Sequence, residues 1–179
     1  MKVLITGGAG FIGSHLVEAY LDAGFEVAVV DNGATNRLKT ILSKIKFYPV
    51  DITSFELTQA FSAFKPDVVN HHAALVHVGQ SMQQPVVYAY NNVFGTIRIL
   101  ELCKQFQVKQ LLFASSVAVY GDVKLFPIKE ETNCQPLSFY GLDKYCCERY
   151  INLYAQDLKT CIFRYANVYG PRQISSGEG

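Results

Sequence analysis

The sequence predicts an α/β protein, a doubly wound parallel sheet with helices on both faces. Two observations carry this. Short apolar runs rich in Val, Ile and Leu alternate with longer segments of helical periodicity. Those runs are apolar throughout rather than alternating apolar and polar, as strands buried on both faces are.

"KVLIT" at 2–6 reads as the first strand, and an apolar-periodic helix follows over 11–23, stopped by Gly24. "EVAVVD" at 26–31 is the second strand, and "IKFYPVD" at 45–51 the third, with a proline near its end. Ser54 suits an N-cap for a helix over 54–64. "PDVVNHHAA" at 66–74 supplies a strand, one long helix spans 84–106, and "KQLLFASS" at 109–116 is the next strand. A helix over 139–157 and the strand "TCIFRYAN" at 160–167 complete the alternation. The long connection at 121–138 is rich in charge and proline and reads as a loop over a site.

A chain of 179 residues is long enough for one domain with a real core. Half of it is apolar and the formal net charge is +1, the balance of an ordinary globular protein. Without a basic block, nucleic-acid binding is not expected as its main function. The first apolar run is too short for a signal peptide and leads straight into glycines. No apolar run approaches the ~20 residues that cross a bilayer, so no membrane partner is expected. The five cysteines (103, 134, 146, 147 and 161) contain no CxxC and read as reduced, packed thiols of a cytoplasmic protein. His71, His72 and His77 lie near one another, but no Cys, His or carboxylate set has ligand spacing, so no metal is expected.

The first turn carries the strongest signal. "GGAGFIG" at 7–13 satisfies GxGxxG through Gly8, Gly10 and Gly13, and GxxGxxG through Gly7, Gly10 and Gly13. It follows a strand directly and opens a helix, the context in which glycines let the backbone approach a pyrophosphate. The helix N-terminus then offers unpaired N–H groups and a positive dipole end to the phosphates. Asp31, closing the second strand, stands where an acid meets the adenosine ribose. It favours NAD over NADP, and Arg37 close behind softens that preference. The plain alternative is a glycine turn followed by a capping Asp.

A Tyr with a Lys four residues on, on one helix face, can make a general base. The phenol's pKa near ~10 is otherwise too high, and an ammonium and a cationic nicotinamide both favour the phenolate. Two such pairs exist, Tyr120–Lys124 and Tyr140–Lys144. Tyr120 precedes Gly121 directly after a strand, where no helix is expected. Tyr140 lies in "SFYGLDKYCCERYINLYA", where Lys144 shares its face. "FASSVAVYG" at 113–121 places Ser116 at the carboxyl edge of the sheet, where it would bond a substrate oxygen or cap a turn. Asn91 and Asn92 interrupt an apolar helix that also carries Gly95. That local break marks a site, or else a kink filled by solvent.

In this order the chain carries TGGAGFIG, Asp31, "DI" at 51–52, "HAA" at 72–74, "NNVFGT" at 91–96, "SSVAVYG", "YGLDK" and "FRYANVYGPRQ". With these motifs it resembles the extended short-chain dehydrogenases/reductases. Among them it is most similar to the NAD-dependent nucleotide-sugar epimerase/dehydratase family, and to its 4-epimerases.

The resemblance implies a Rossmann-type domain over 1–179 holding NAD. Phe11 and Ile12 would line the pyrophosphate turn, Asp31 and Asn32 would hold the adenosine ribose, and Asp51 with Ile52 would flank the adenine. Ala73, Ala74 and Asn91 would lie along the cofactor. Tyr140 would be the base and Lys144 would hold the nicotinamide ribose. Ser116 would bind the reacting sugar hydroxyl, and Asn167 the phosphates of a nucleotide sugar, a UDP-sugar by the same resemblance. Dehydratases and decarboxylases of the family carry acidic residues where this chain has Val117 and Ala118, which points to epimerisation through a transient keto-sugar.

Phe139, Asp143 and Val76 depart from the family's usual Pro, Ser and (in some 4-epimerases) Lys. The resemblance also implies a homodimer through the helices near 85–106 and 140–157, whose apolar residues equally suit a core. Family members continue for well over ~100 residues beyond this point, so the C-terminal substrate lobe is expected to be absent and turnover by these residues alone to be slight. A non-catalytic NAD-binding module and a simple dehydrogenase are the alternatives.

Overall fold

The computed structural model describes residues 1–33, 38, 42–124 and 126–173. Strands β1 (Lys2–Thr6), β2 (Glu26–Val30), β3 (Lys46–Tyr48), β4 (Val68–His71), β5 (Gln110–Ser116) and β6 (Lys159–Tyr165) form one sheet, ordered β3-β2-β1-β4-β5-β6. Every pairing is parallel. The doubly wound architecture expected from the sequence is the one observed.

Alternate side chains of each strand serve opposite faces. Leu4 of β1 packs with Phe61, Phe64, Ile99, Leu100, Leu111 and Ile151 on one side. Val3 and Ile5 pack with Val17, Val27 and Val29 on the other. Each such fully buried side chain contributes about 1.5–3 kcal/mol, which fixes the register. In that register Thr6 of β1 stands level with both Val30 of β2 and His71 of β4. Strand order reverses between β1 and β4, and the crevice outside their carboxyl ends is where such sheets take ligands.

Helices α1 (Phe11–Asp22), α2 (Leu57–Phe64), α3 (Val78–Gln83), α4 (Pro85–Ala89), α5 (Gly95–Gln105) and α6 (Phe139–Tyr154) cover the sheet. Several differ from expectation. The third strand is three residues long because Pro49 follows it and has no N–H to give the ladder. Ser54 does accept a backbone N–H, from Glu56 at 3.2 Å, but it closes a turn, and α2 begins only at Leu57. α3 was not expected, since "VGQSMQ" has no apolar period. The long helix is split into α4 and α5 by a π turn at Tyr90–Phe94 that holds both asparagines. Among the described residues of 121–138 there is neither helix nor strand, as expected of a loop. No helix among the described residues is long and apolar enough to cross a membrane.

Candidate active site

A cavity of about 890 Å³ runs along the carboxyl ends of the strands. That lies at the upper end of the ~300–1,000 Å³ of ordinary ligand sites. Every residue given a catalytic, cofactor or substrate role above lines it, whereas Gly8 and Asn92 do not. The residues with such roles are Gly7, Gly10, Phe11, Ile12 and Gly13 of the first turn, Asp31 and Asn32 after β2, and Asp51 and Ile52 after β3. Ala73 and Ala74 follow β4, and Asn91, Ser116, Tyr140, Lys144 and Asn167 complete the set.

The glycines form a cradle. Gly7 has φ +68° and donates to Val30 O at 2.9 Å, and Gly10 donates back to Gly7 O at 3.1 Å. A Cβ on Gly13 would lie 2.2 Å from the Gly7 carbonyl oxygen, so only glycine lets α1 start this close to β1. Gly10 caps α1 with no side-chain acceptor, which leaves the first-turn N–H groups to a ligand. Asp31 braces the cradle: Oδ2 accepts from Ala9 N at 3.0 Å and Oδ1 from Gly33 N at 2.8 Å. Asp51 accepts from Thr53 N (2.9 Å), Thr53 Oγ1 (2.7 Å) and Asn32 Nδ2 (3.2 Å). Burial alone would raise its carboxyl, and these three donors together hold it below the ordinary range.

The π turn is filled by protein. Asn92 is buried and pairs with the backbone of Leu75, accepting from its N–H at 2.8 Å and donating to its C=O at 3.0 Å. It thereby clamps the wall that carries Ala73 and Ala74, while Asn91 lines the cavity. Beneath it, the Thr96 hydroxyl donates to Asn92 O at 2.6 Å and so accepts from His71 Nε2 at 3.0 Å. His71 Nδ1 then accepts from the Thr6 hydroxyl at 2.6 Å, which takes the His72 and Ala73 N–H groups at 3.2 Å. This chain fixes His71 as the neutral Nε2–H tautomer. Burial, with Lys144 and His72 adding, holds its pKa well below the usual value.

At the far end, Tyr140 and Lys144 face the cavity from α6. Lys144 is buried, donates to Ala114 O at 2.8 Å and sits 5.9 Å from the Tyr140 ring centre. Burial lowers its pKa to about 8 against the raising effect of Cys147 and Asp143. Ser116 accepts from Ala118 N at 3.1 Å, capping a short turn, and lines the cavity beside Tyr140. Of the two readings of Ser116, the turn cap is the one the structure shows. The phenol itself is raised, by burial first and by Tyr88, with Ser116 opposing. The expected lowering of Tyr140 by the ammonium does not come from Lys144 alone, because the protein that holds the pair together also dries it.

Tyr120 is no rival: its hydroxyl accepts from Arg164 at 2.8 Å, and Lys124 pairs with Asp122. Arg37 lies outside the described residues. Sequence reasoning missed His72 and Tyr165, which also line the cavity, with His72 Nε2 3.3 Å from the Tyr165 hydroxyl. Burial, aided by Lys144, lowers His72 to about 3. Their positions at the carboxyl ends of strands were the available signal. Among the described residues no group of His, Cys, Asp or Glu could hold a metal ion.

Fold and site together define a parallel α/β protein shaped to hold an elongated ligand between a glycine cradle and a Ser/Tyr/Lys cluster. A model of the NAD dependent epimerase/dehydratase family matches residues 3–178. The chain belongs to that family. It is 40% identical to the UDP-glucose 4-epimerase of Lacticaseibacillus casei over 95% of this chain and 52% of that protein. The crystal structure of a Thermus thermophilus UDP-glucose 4-epimerase in complex with NAD superposes with a TM-score of 0.95 at 43% identity, over 99% of this chain and 59% of that one. For a Thermotoga maritima UDP-glucose 4-epimerase with UDP-glucose, the TM-score is 0.94 and the identity 39%, over 99% and 59%. The chain thus spans between half and three fifths of the length of each of these three relatives.

Proposed function

We propose that residues 1–179 form the NAD-binding and proton-transferring domain of an epimerase acting on a nucleotide-diphosphate sugar, a UDP-sugar by its likeness to UDP-glucose 4-epimerases. The observation that carries this is the convergence of the glycine cradle with Ser116, Tyr140 and Lys144 in one cavity. The residues present fit a dinucleotide: a Cβ would fill the Gly13 approach, and the first-turn N–H groups of α1 have no side-chain cap.

In this reading the cradle with Phe11 and Ile12 takes the pyrophosphate. Asp31 and Asn32 hold the adenosine ribose, and Asp51 and Ile52 flank the adenine. Ala73, Ala74 and Asn91 lie along the cofactor, and Lys144 holds the nicotinamide ribose. NAD, when bound, supplies a hydride acceptor that gives the hydride back. Tyr140 removes the sugar hydroxyl proton while Ser116 bonds the same oxygen, and Tyr140 returns the proton after the keto-sugar has turned over. Asn167 holds the sugar's phosphates. Val117 and Ala118 border the cavity and transfer no protons, which supports epimerisation over elimination.

A cytoplasmic homodimer belongs to the same proposal. Val86, Val87, Tyr90, Leu142 and Leu153 of α4, the π turn and α6 are exposed apolar side chains that suit a second copy.

The experiment is to denature the purified chain and identify any nucleotide released, then titrate NAD into the wild type and Tyr140→Phe, and assay UDP-glucose with each. Stoichiometric NAD with slight turnover is the expected result for these residues alone. A chain that neither carries nor takes up NAD would sink the reading.

A further inference from the structure

After β6, residues 166–173 run toward the start of α1: Ala166, Asn167 and Val168 line the cavity, and a Cβ on Gly170 would lie 4.0 Å from the Phe11 ring. None of these eight residues is buried, and Tyr169 is 89% exposed, so apolar packing does not hold them there. Polar contacts to α1 do. His15 Nε2 donates to Pro171 O at 2.9 Å. Arg172 Nη2 donates to His15 Nδ1 at 2.6 Å and to Glu18 Oε2 at 2.6 Å. With one ring nitrogen donating and the other accepting, His15 is the neutral Nε2–H tautomer.

His15 and Glu18 are three residues apart on one face of α1, so a single guanidinium nitrogen reaches both. The same helix begins in the glycine cradle. Phe11, in its first turn, meets His15 edge to face at 5.9 Å and lies beside Gly170.

We propose that Arg172 is a positioning residue. With His15 and Glu18 it latches residues 166–173 across the cradle end of the cavity, holding Asn167 in the wall and slowing the escape of a bound dinucleotide. This rests on the reading of the cavity as an NAD site. A reaction that returns its hydride has no use for cofactor exchange, and a dinucleotide lying along Phe11 and Ile12 leaves only when this strap lifts.

The test preloads the chain with NADH and follows its fluorescence on dilution into excess NAD. Arg172→Met and Glu18→Gln release NADH about fivefold faster than the wild type, the size expected of a partly exposed ion pair. Arg172→Glu and Glu18→Arg do the same singly, and the two combined release it more slowly than either alone. Unfolding midpoints of all variants are measured alongside, and Glu18→Gln carries the test if Arg172→Met does not fold. Unchanged release in the folded Met and Gln variants, or no recovery in the exchanged pair, overturns the latch and leaves the NAD site standing. If the wild type binds no NADH, the NAD reading fails and the latch is judged by hydrogen exchange of the free chain. Faster exchange of amides 166–173 in Arg172→Met supports it, and equal exchange overturns it.

Discussion

Lys144 Nζ lies 5.9 Å from the centre of the Tyr140 ring, tethered to the Ala114 carbonyl at 2.8 Å. The two are one helical turn apart on α6, and the tether fixes their distance whatever the phenol's charge. The same burial that fixes the ammonium also weakens it as a cation. Its pKa falls to about 8 from the ~10.4 of an exposed lysine.

That depression makes a prediction in pH. Between about 8 and ~10.4 the unfolded chain holds a proton that the native chain has given up, so this group's contribution to stability rises with pH across that window. At neutral pH both states are charged and the native state bears the cost of the buried cation. Lys144→Met removes it. Urea unfolding at a series of pH values should show the wild type gaining on Lys144→Met by on the order of 3 kcal/mol from pH ~7.5 to ~10.5. Parallel profiles would show that the native lysine is not desolvated.

Gly95 inverts an ordinary rule. Alanine normally favours a helix by ~1 kcal/mol over glycine. Here a Cβ would meet Ile52 Cδ1 at 2.5 Å, and Ile52 is a buried residue of the cavity wall. Gly95→Ala should therefore destabilise the fold by about 1–3 kcal/mol. Ile52→Ala also destabilises, by leaving a space, and the two together should cost less than their sum. Additive costs in a double-mutant cycle would mean that the side chain simply moves aside.

The sequence announced most of the sheet and most of the cavity residues named above, because nearly all of those lie in motifs at a strand's carboxyl end or on the Tyr140–Lys144 face of α6; His72 and Tyr165 escaped it. What it hid depends on contacts far apart in the chain. A π turn at 90–94 could not be read from "YNNVF", since it exists because Asn92 pairs with Leu75 and Thr96 with His71. α3 has no amphipathic period to betray it. It is fixed from outside, where Ser81 Oγ accepts the Tyr140 N–H at 3.2 Å. The sequence reads Asp31 as an acid placed for a ribose, but its bond to Ala9 joins residues 22 apart and could not be read there.

Asp31 should accordingly matter before any ligand arrives. Asp31→Ala strands the buried Ala9 N–H and should cost about 1–3 kcal/mol in urea unfolding of the free chain. Asp31→Asn keeps an oxygen for it and should cost less. In titrations of the folded Asn variant, the preference for NAD over NADP should narrow, because the charge opposing a 2′-phosphate is gone. Full stability in Asp31→Ala would reduce the residue to a ligand alone.

Asp143 stands beside Lys144 and has the opposite pH behaviour. It is buried, and its Oδ2 has no hydrogen-bond partner. Burial lifts the carboxyl to about 6, against the opposing pull of the Asn92 amide and Lys144. Between ~4 and about 6 the native chain holds a proton that the unfolded chain has lost, so this group's contribution falls as pH rises through that window. At pH 7 the carboxylate is a net cost to the native state. Asp143→Asn keeps the shape without the charge, so it should be more stable than the wild type at pH 7 and lose that advantage near pH 4. Because the Asp143 carboxylate also holds the Lys144 pKa up, the same substitution should move the lysine's window to lower pH. In unfolding profiles, the gain that Lys144 shows above pH ~8 would then begin earlier in Asp143→Asn than in the wild type. A window that stays in place would mean that the two neighbours on α6 titrate independently.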